Sequence, residues 1–328
     1  MAMKPVIRTL LAAAVLAAAP VAACRGAETV RVAVQKTGTF AWELAVIRAH
    51  GLDKQADLSI QAVELASPEA GKIALRAANA DIMVSDWLWV SRERSLGAKL
   101  TFYPYSSALG AVMVPDASPI RTLADLKGRK LAVAGGPIDK SWLLLRAWLK
   151  QDGIDLKSEA TIAYGAPPLL TAKTLAGEME ATINYWNFCA ALEAKGFRRV
   201  AGIEDLLPKL GARGRIAMIG YVFDEAWAGA NPELMARFIA MTRKAKEILA
   251  TSDAEWDKIR PLTGAADDAT LRAYRDRYRE GIPRRPIADE EADARVIYRV
   301  LADIGGRELV GPAPELVSGT FYHAIPGD

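Results

Sequence analysis

The chain has 328 residues, 51% of them hydrophobic and 25% charged, so it is long enough for two domains with sizeable cores. Lys and Arg number 42 against 39 Asp and Glu, and this near-balance excludes a global pull toward nucleic acid or anionic lipid. Cys24 and Cys189 exclude a disulfide framework, and with His50 and His323 they form no spaced zinc set. No dense carboxylate cluster suits a hard cation, and no cofactor is expected.

The N-terminus reads as a targeting segment over residues 1–23: Lys4 and Arg8 supply charge, Thr9 to Ala19 are almost wholly apolar, and small residues follow. The apolar run is shorter than the roughly 20 residues of a membrane-spanning helix. Val21-Ala22-Ala23-Cys24 fits a lipobox, with acylation at Cys24, and equally fits plain cleavage after small residues; both routes stay open. Removal of residues 1–23 leaves an exported chain of 305 residues with a net charge near +1.

From Thr29 onward strands and helices alternate. Thr29 to Gln35 is a strand, the helix after it ends at Gly51, and Ser59 to Leu65 is a second strand. Ser67 with Pro68 opens a helix reaching about Ala78, Asp81 to Val84 is a third strand, and Trp87 to Ser95 is helical. Leu100 to Tyr105 and Leu109 to Val114 are strands, and Pro115 and Pro119 mark a boundary.

The run from Pro119 to Leu149 reads as short helix, strand, glycine turn and long helix. Thr122 and Asp125 make a capping-box start, Gly128 a stop, and Gly135-Gly136 precede a helix beginning near Ile138 whose N–H groups suit a small polar ligand. Strands Ala160 to Tyr164 and Ala181 to Tyr185 follow, each with its helix, and Arg215 to Phe223 is a strand returning to the first domain. The remainder is helical, with Asn231-Pro232, a Ser252/Glu255 capping box and Asp289 as starts. Such alternation predicts parallel βαβ units in an α/β protein with two lobes. Lobe 1 is residues 24–113 plus 219–328, lobe 2 residues 114–218, and the arrangement is a hinged clamshell.

The signal segment, the strand and loop QKTGT, the helix SPEAGKIALRAANAD and the stretch IRTLADLKGRKLAVAGG together resemble the sulfonate, nitrate and thiamine-precursor branch of periplasmic substrate-binding proteins. The resemblance covers Thr29 to about Leu249, and LADLKGRKLAV is its most specific part. It implies a type II two-lobed periplasmic-binding-protein fold, a ligand held by loops at strand C-terminal ends, and an inner-membrane ABC permease and ATPase as partners. The chain departs from the pattern where Gly136 is followed by Pro137, Ile138 and Asp139 rather than Ser or Thr, which removes an N–H donor and adds a carboxylate.

Candidate ligand contacts sit at the strand ends. Thr37, Gly38 and Thr39 offer donors in a flexible turn, with Trp42 as an apolar wall; Glu43 reads as a solvated first-turn carboxylate. Ser67, Ser85, Asp86 and Trp87 close the second and third strands, where Asp86 either caps the next helix or accepts from a ligand amine. Gly136 and Asp139 come from the glycine turn and the helix start. Tyr164, Asn184, Tyr185 and Trp186 pair flat rings with amide groups, suiting a planar or partly apolar nitrogen-bearing solute. The basic, aromatic segment from Arg272 to Arg285 reads as a solvated helix face because Asp276 and Glu280 interrupt it, and no nucleic-acid partner is expected. Without a G-x-S-x-G nucleophile turn or a cysteine-rich cluster, the chain reads as a monomeric binding protein and not an enzyme. A periplasmic sensor is the alternative, and a pyrimidine-synthase-like enzyme a more distant one.

Overall fold

The computed structural model describes Met1, residues 27–35 and residues 38–325; the targeting segment, Cys24 and Thr37 lie outside the described residues. The first lobe begins with β1 (Glu28–Gln35), α1 (Phe40–Ala49), the single turn α2 (Leu52–Gln55), β2 (Leu58–Leu65), α3 (Pro68–Arg76), β3 (Ile82–Asp86), α4 (Trp87–Ser95) and β4 (Leu100–Ser106). The second lobe holds β5 (Gly110–Pro115), β6 (Lys130–Ala134), α5 (Lys140–Lys150), α6 (Leu156–Glu159), β7 (Thr161–Gly165), α7 (Pro167–Leu175), β8 (Ala181–Tyr185), α8 (Trp186–Glu193) and β9 (Phe197–Gly202). The chain then returns through β10 (Ile219–Asp224), α9 (Glu225–Ala230), α10 (Pro232–Thr251), α11 (Asp253–Thr263), α12 (Asp268–Glu280) and α13 (Ile287–Val310).

Two five-stranded sheets result, with orders β2-β1-β3-β10-β4 and β7-β6-β8-β5-β9. β1 lies parallel between β2 and β3, β6 lies parallel between β7 and β8, and in each sheet the fourth strand, β10 or β5, runs antiparallel to both neighbours. The strands are short and apolar because helices cover both faces. Local signals act as the sequence predicts at several starts: the Ser67 hydroxyl accepts from Ala70 N at 3.2 Å, with Pro68 at the first helical position, and Thr122 and Asp125 form the reciprocal capping box.

Several elements differ from the sequence reading. All of β5 pairs in the second sheet, so the 113/114 boundary divides a strand that is continuous within lobe 2. The return strand starts at Ile219, and Arg215–Met218 form the second crossing, in which Ile216, Ala217 and Met218 are buried. β9 was not expected: its FRRVAG sequence places two arginines on an edge strand, where they reach outward to Ser118 O, Ile120 O and Glu193. Ser252 makes no side-chain cap; Glu255 instead pairs with His50 and Lys258. α13 opens at Ile287, so Asp289 lies within its first turn.

The C-terminal helices do not stay on one lobe. α12 packs against α8, and α13 packs against both α4 and α5. Beyond α13 the tail runs beside the edge strand β4: Phe102 N donates to Thr320 O at 2.8 Å and Tyr322 N to Phe102 O at 2.9 Å, which covers an edge that would otherwise offer unpaired backbone.

Gly220 in β10 has no room for a side chain, since a Cβ there would lie 2.1 Å from the Phe102 ring and 2.4 Å from Tyr103 O. Gly220→Ala is expected to lower the unfolding free energy by about 3 kcal/mol in urea titrations. The second crossing is fastened by Glu290, whose carboxylate accepts from Ala217 N at 2.9 Å while burial pushes its pKa up to about 7. A carboxyl raised in the folded state contributes its full stability below about pH 4.5 and loses it as pH rises through about 7. Glu290→Gln should therefore gain stability relative to the parent between pH 5 and 8, read as a shrinking gap or crossover in melting temperature.

Candidate functional site

The C-terminal ends of β1, β3 and β4 face those of β6 and β8 across the seam between the lobes. Asp86 ends β3 and does two things at once: it caps α4 by accepting from Trp89 N at 2.9 Å, and its other oxygen lies 2.9 Å from Lys140 Nζ at the start of α5. This ion pair ties the lobes together. Burial alone would raise the Asp86 pKa, but the Lys140 charge and hydrogen bond prevail and hold it below the usual carboxylate range; the same pairing raises Lys140 against its own burial.

Asp139 is the N-cap of α5, which begins at Lys140, two residues later than the sequence suggests. Its Oδ1 accepts from Ser141 N and Trp142 N at 2.9 and 3.2 Å, and the Tyr185 hydroxyl donates to its Oδ2 at 3.4 Å. The helix terminus expected to cradle a ligand is thus occupied by its own carboxylate. Burial raises the Asp139 pKa despite Lys140 beside it. Gly135, at φ 85°, allows this approach, because a Cβ would meet both Asp139 and the Tyr185 hydroxyl near 3.2 Å. A Cβ on Gly136 would meet nothing within 4 Å, so that position borders open space.

A second patch of the seam is aromatic. Trp42 of α1 meets Trp186 of α8 edge-to-face at 5.9 Å, and behind them lie Trp256, Tyr274 and Tyr278. Thr39, Tyr105, Ser106, Trp186, Lys246 and Tyr278 line a cavity of only about 10 Å³, with Thr39 Oγ1 3.2 Å from the Tyr105 hydroxyl. One water at most fits there. The lobes are closed on each other.

Of the residues singled out from sequence, the seam gathers Thr39, Trp42, Asp86, Asp139, Tyr185 and Trp186, with Gly38 in the adjoining turn. Others are engaged elsewhere. Trp87 is fully buried in the core of lobe 1 against Tyr298 and Phe321, so the first residue of α4 points inward, and Trp89 instead meets Lys72 by cation–π contact at 5.2 Å. Asn184 is buried and uses its amide locally, donating to Thr171 Oγ1 and Pro167 O and accepting from Tyr185 N. Tyr164 stacks edge-to-face on Trp142 at 6.5 Å. Ser67 serves as a helix cap, and Ser85 pairs with Gly220 in the sheet.

Two residues have roles that the sequence does not announce. Glu43 is fully buried, not solvated, and is held by Lys246, by the Tyr278 hydroxyl at 2.6 Å and by the Tyr221 hydroxyl at 3.2 Å. Lys140 is the first residue of α5, and only the fold brings Asp86 opposite it. The Arg272 to Arg285 segment is likewise more than a solvated face: Arg277 reaches Glu193 of lobe 2 at 2.9 Å, and Tyr278 is buried. Among the described residues no group of His, Cys, Asp and Glu could hold a metal ion, and no helix is long and apolar enough to cross a membrane.

Lys140→Met leaves Asp86 buried without its cation and should lower stability by about 2–3 kcal/mol, whereas Asp86→Asn in the same background should add little further loss. A double-mutant cycle by denaturant unfolding measures the coupling. Because the Asp86 pKa is depressed, its contribution is present above about pH 4 and is lost as pH falls through the folded-state value.

Residues 44–255 match the family model described as NMT1/THI5 like. No curated protein matches the chain. Among solved structures it is similar to the periplasmic aliphatic sulphonate binding protein SsuA from Escherichia coli, at 19% identity and a TM-score of 0.72 over 90% of this chain and 92% of that one. It is also similar to the alkanesulfonate-binding protein SsuA from Xanthomonas axonopodis pv. citri bound to MOPS, at 20% identity and a TM-score of 0.66 over 90% and 98% of the two chains. The desulfurization enzyme DSZB shares the architecture at 14% identity and a TM-score of 0.58, over 85% of this chain and 92% of that one. The shared property is the periplasmic-binding-protein fold, which hosts both binding proteins and an enzyme. With the family model spanning well over half of its length, this chain belongs to the NMT1/THI5-like family.

Proposed function

We propose that the protein is an exported solute-binding protein that captures a small organic solute between its lobes and delivers it to an ABC permease and ATPase in the inner membrane. Residues 1–23 serve as the export signal, the mature protein works in the periplasm as a monomer, and Cys24 is its lipid-attachment point if the lipobox route is taken. No bond is made or broken. Cys189, the one remaining thiol, is buried, donates to Asn184 O and Ala111 O, and has its pKa pushed up to about 12 by burial, which makes it a poor nucleophile.

The observation that carries this reading is the Asp86–Lys140 pair across a closed seam. The seam cavity among Thr39, Tyr105 and Trp186, at about 10 Å³, is too small for a solute, so a solute enters only when the lobes part and the pair breaks. A zwitterion restores the charge balance on reclosure: its cationic nitrogen takes the place of Lys140 at Asp86, and its anionic end meets Lys140. An anion alone leaves Asp86 unpaired in a buried site. The aromatic patch formed by Trp42 and Trp186 then covers the apolar part of the solute.

Thermal-shift screening against taurine, alkanesulfonates, nitrate and aminopyrimidines tests this. A nitrogen-bearing solute at about 100 times its Kd is expected to raise the melting temperature by about 5 °C. Replacing both Asp86 and Asp139 by Asn should abolish that rise. Stabilisation by plain anions only, or an unchanged rise in the double variant, would show that these carboxylates do not recognise the solute.

A further inference from the structure

The two segments that cross between the lobes, residues 107–109 and 215–218, are both fastened to one short stretch of chain, the connection from Glu280 through the first turn of α13. At the first crossing, Ser107 N donates to Gly281 O at 2.9 Å and the Ser107 hydroxyl donates to the same oxygen at 3.3 Å. At the second, Arg285 donates to Arg215 O at 2.7 Å, the Arg215 guanidinium donates back to Glu280 O at 3.3 Å, and Glu290 accepts from Ala217 N at 2.9 Å.

The approach is close as well as bonded. Gly281 has an ordinary helical backbone, with φ −84°, so no turn requires glycine there; a Cβ would lie 2.6 Å from the Ala108 Cβ. Gly214, just before the second crossing, is likewise pressed on Arg285, whose guanidinium a Cβ would meet at 3.0 Å. The connection is held to lobe 1 through Tyr278 and Glu43, while α13 beyond it packs on α4 and α5. Residues 283–287 also border a cavity of about 360 Å³ against β4, β10 and α10, and no crossing residue lines it. The connection is thus pinned toward the crossings and has room on its other side.

Parting of two lobes is a rotation of the backbone within the segments that join them. Such a rotation turns the Ser107 and Ala217 N–H groups and the Arg215 carbonyl away from partners that stay with α12 and α13. Ser107 and Ala217 are buried, and a buried N–H without its acceptor is unfavourable. We infer that the α12–α13 connection is a hinge brace: it holds both crossings in the geometry of the closed form, so that the readiness of the lobes to part is set behind the seam as well as within it. The inference rests on entry of a solute by parting of the lobes, and not on which solute enters.

Spin labels at Ile73→Cys and Leu169→Cys read the brace in the free protein. These side chains are exposed on α3 and α7, one in each lobe; Cys189 is buried, and Cys24→Ser removes the other thiol. One short distance should dominate in the parent. Gly281→Ala, which pushes the connection off Ala108, and Glu290→Ala, which leaves Ala217 N without its acceptor, should each raise the ratio of long to short distances about tenfold. Glu290→Gln keeps an acceptor and should give the parental distribution. Arg284→Ala should also give it, since that side chain is exposed in the same connection and, among the described residues, bonds to neither crossing. Ser107→Ala and Arg285→Met each remove a side-chain bond from one crossing and should shift the ratio about threefold, which reads the brace if a stronger variant fails to fold. The inference is overturned if the variants at either crossing keep the parental distribution, if Arg284→Ala shifts it as much as they do, or if the parent is already dominated by the long distance. A thermal-shift screen that finds no solute leaves these distances as they are, so failure of the solute reading and failure of the brace are told apart.

Discussion

The buried carboxylate of Glu43 is the joint on which the two-lobed arrangement rests. Standing alone in the core of lobe 1 it would be unfavourable by several kcal/mol, so it fixes the positions of the groups that satisfy it: Lys246 from α10, Tyr221 from β10 and Tyr278 from α12. Lys246 is in turn stacked over Tyr105 at 3.8 Å, at the seam end of β4. Tyr278 anchors α12 to lobe 1, while its neighbour Arg277 holds Glu193 of lobe 2. Two adjacent residues thereby grip opposite lobes, and the geometry of the seam follows from where that helix is pinned.

Lys246 borders the small cavity of the seam, and its ammonium is drawn toward Glu43 and away from that space. The strand ends and the start of α5 are left with Asp86, Asp139 and Lys140 as their charged groups, beside the Arg277–Glu193 pair that also joins the lobes.

The sequence made the alternating elements, the return of the chain to the first lobe and most helix starts legible, because apolar runs, Ser67-Pro68 and the Thr122/Asp125 box act within a few residues of themselves. Long-range partners were less legible. Glu43 looks like any first-turn carboxylate until Lys246 and Tyr278 arrive from more than 200 residues away. Trp87 and Trp89 could not be told apart by spacing alone, since helical phase relative to the sheet decides which one enters the core. β9 hid its strand character behind Arg198 and Arg199, which an edge position permits and a central strand would not. Half of the expected seam contacts come together because strand C-terminal ends converge in this topology; Asn184 and Ser67 depart because short polar side chains satisfy nearby backbone first.

The strand order also sets a schedule for folding. Every strand of the second sheet lies within residues 110–202, so that lobe can complete itself from contiguous chain. The first sheet cannot: β3 and β4 have no direct pairing with each other and wait for β10, which slots between them only after the whole of the second lobe has emerged. Until then both present bare edges, a state prone to pairing with other chains. A protein assembled in this order has reason to be kept unfolded until its last third is available, because one six-residue strand has to pair on both sides with strands that come far earlier in the chain.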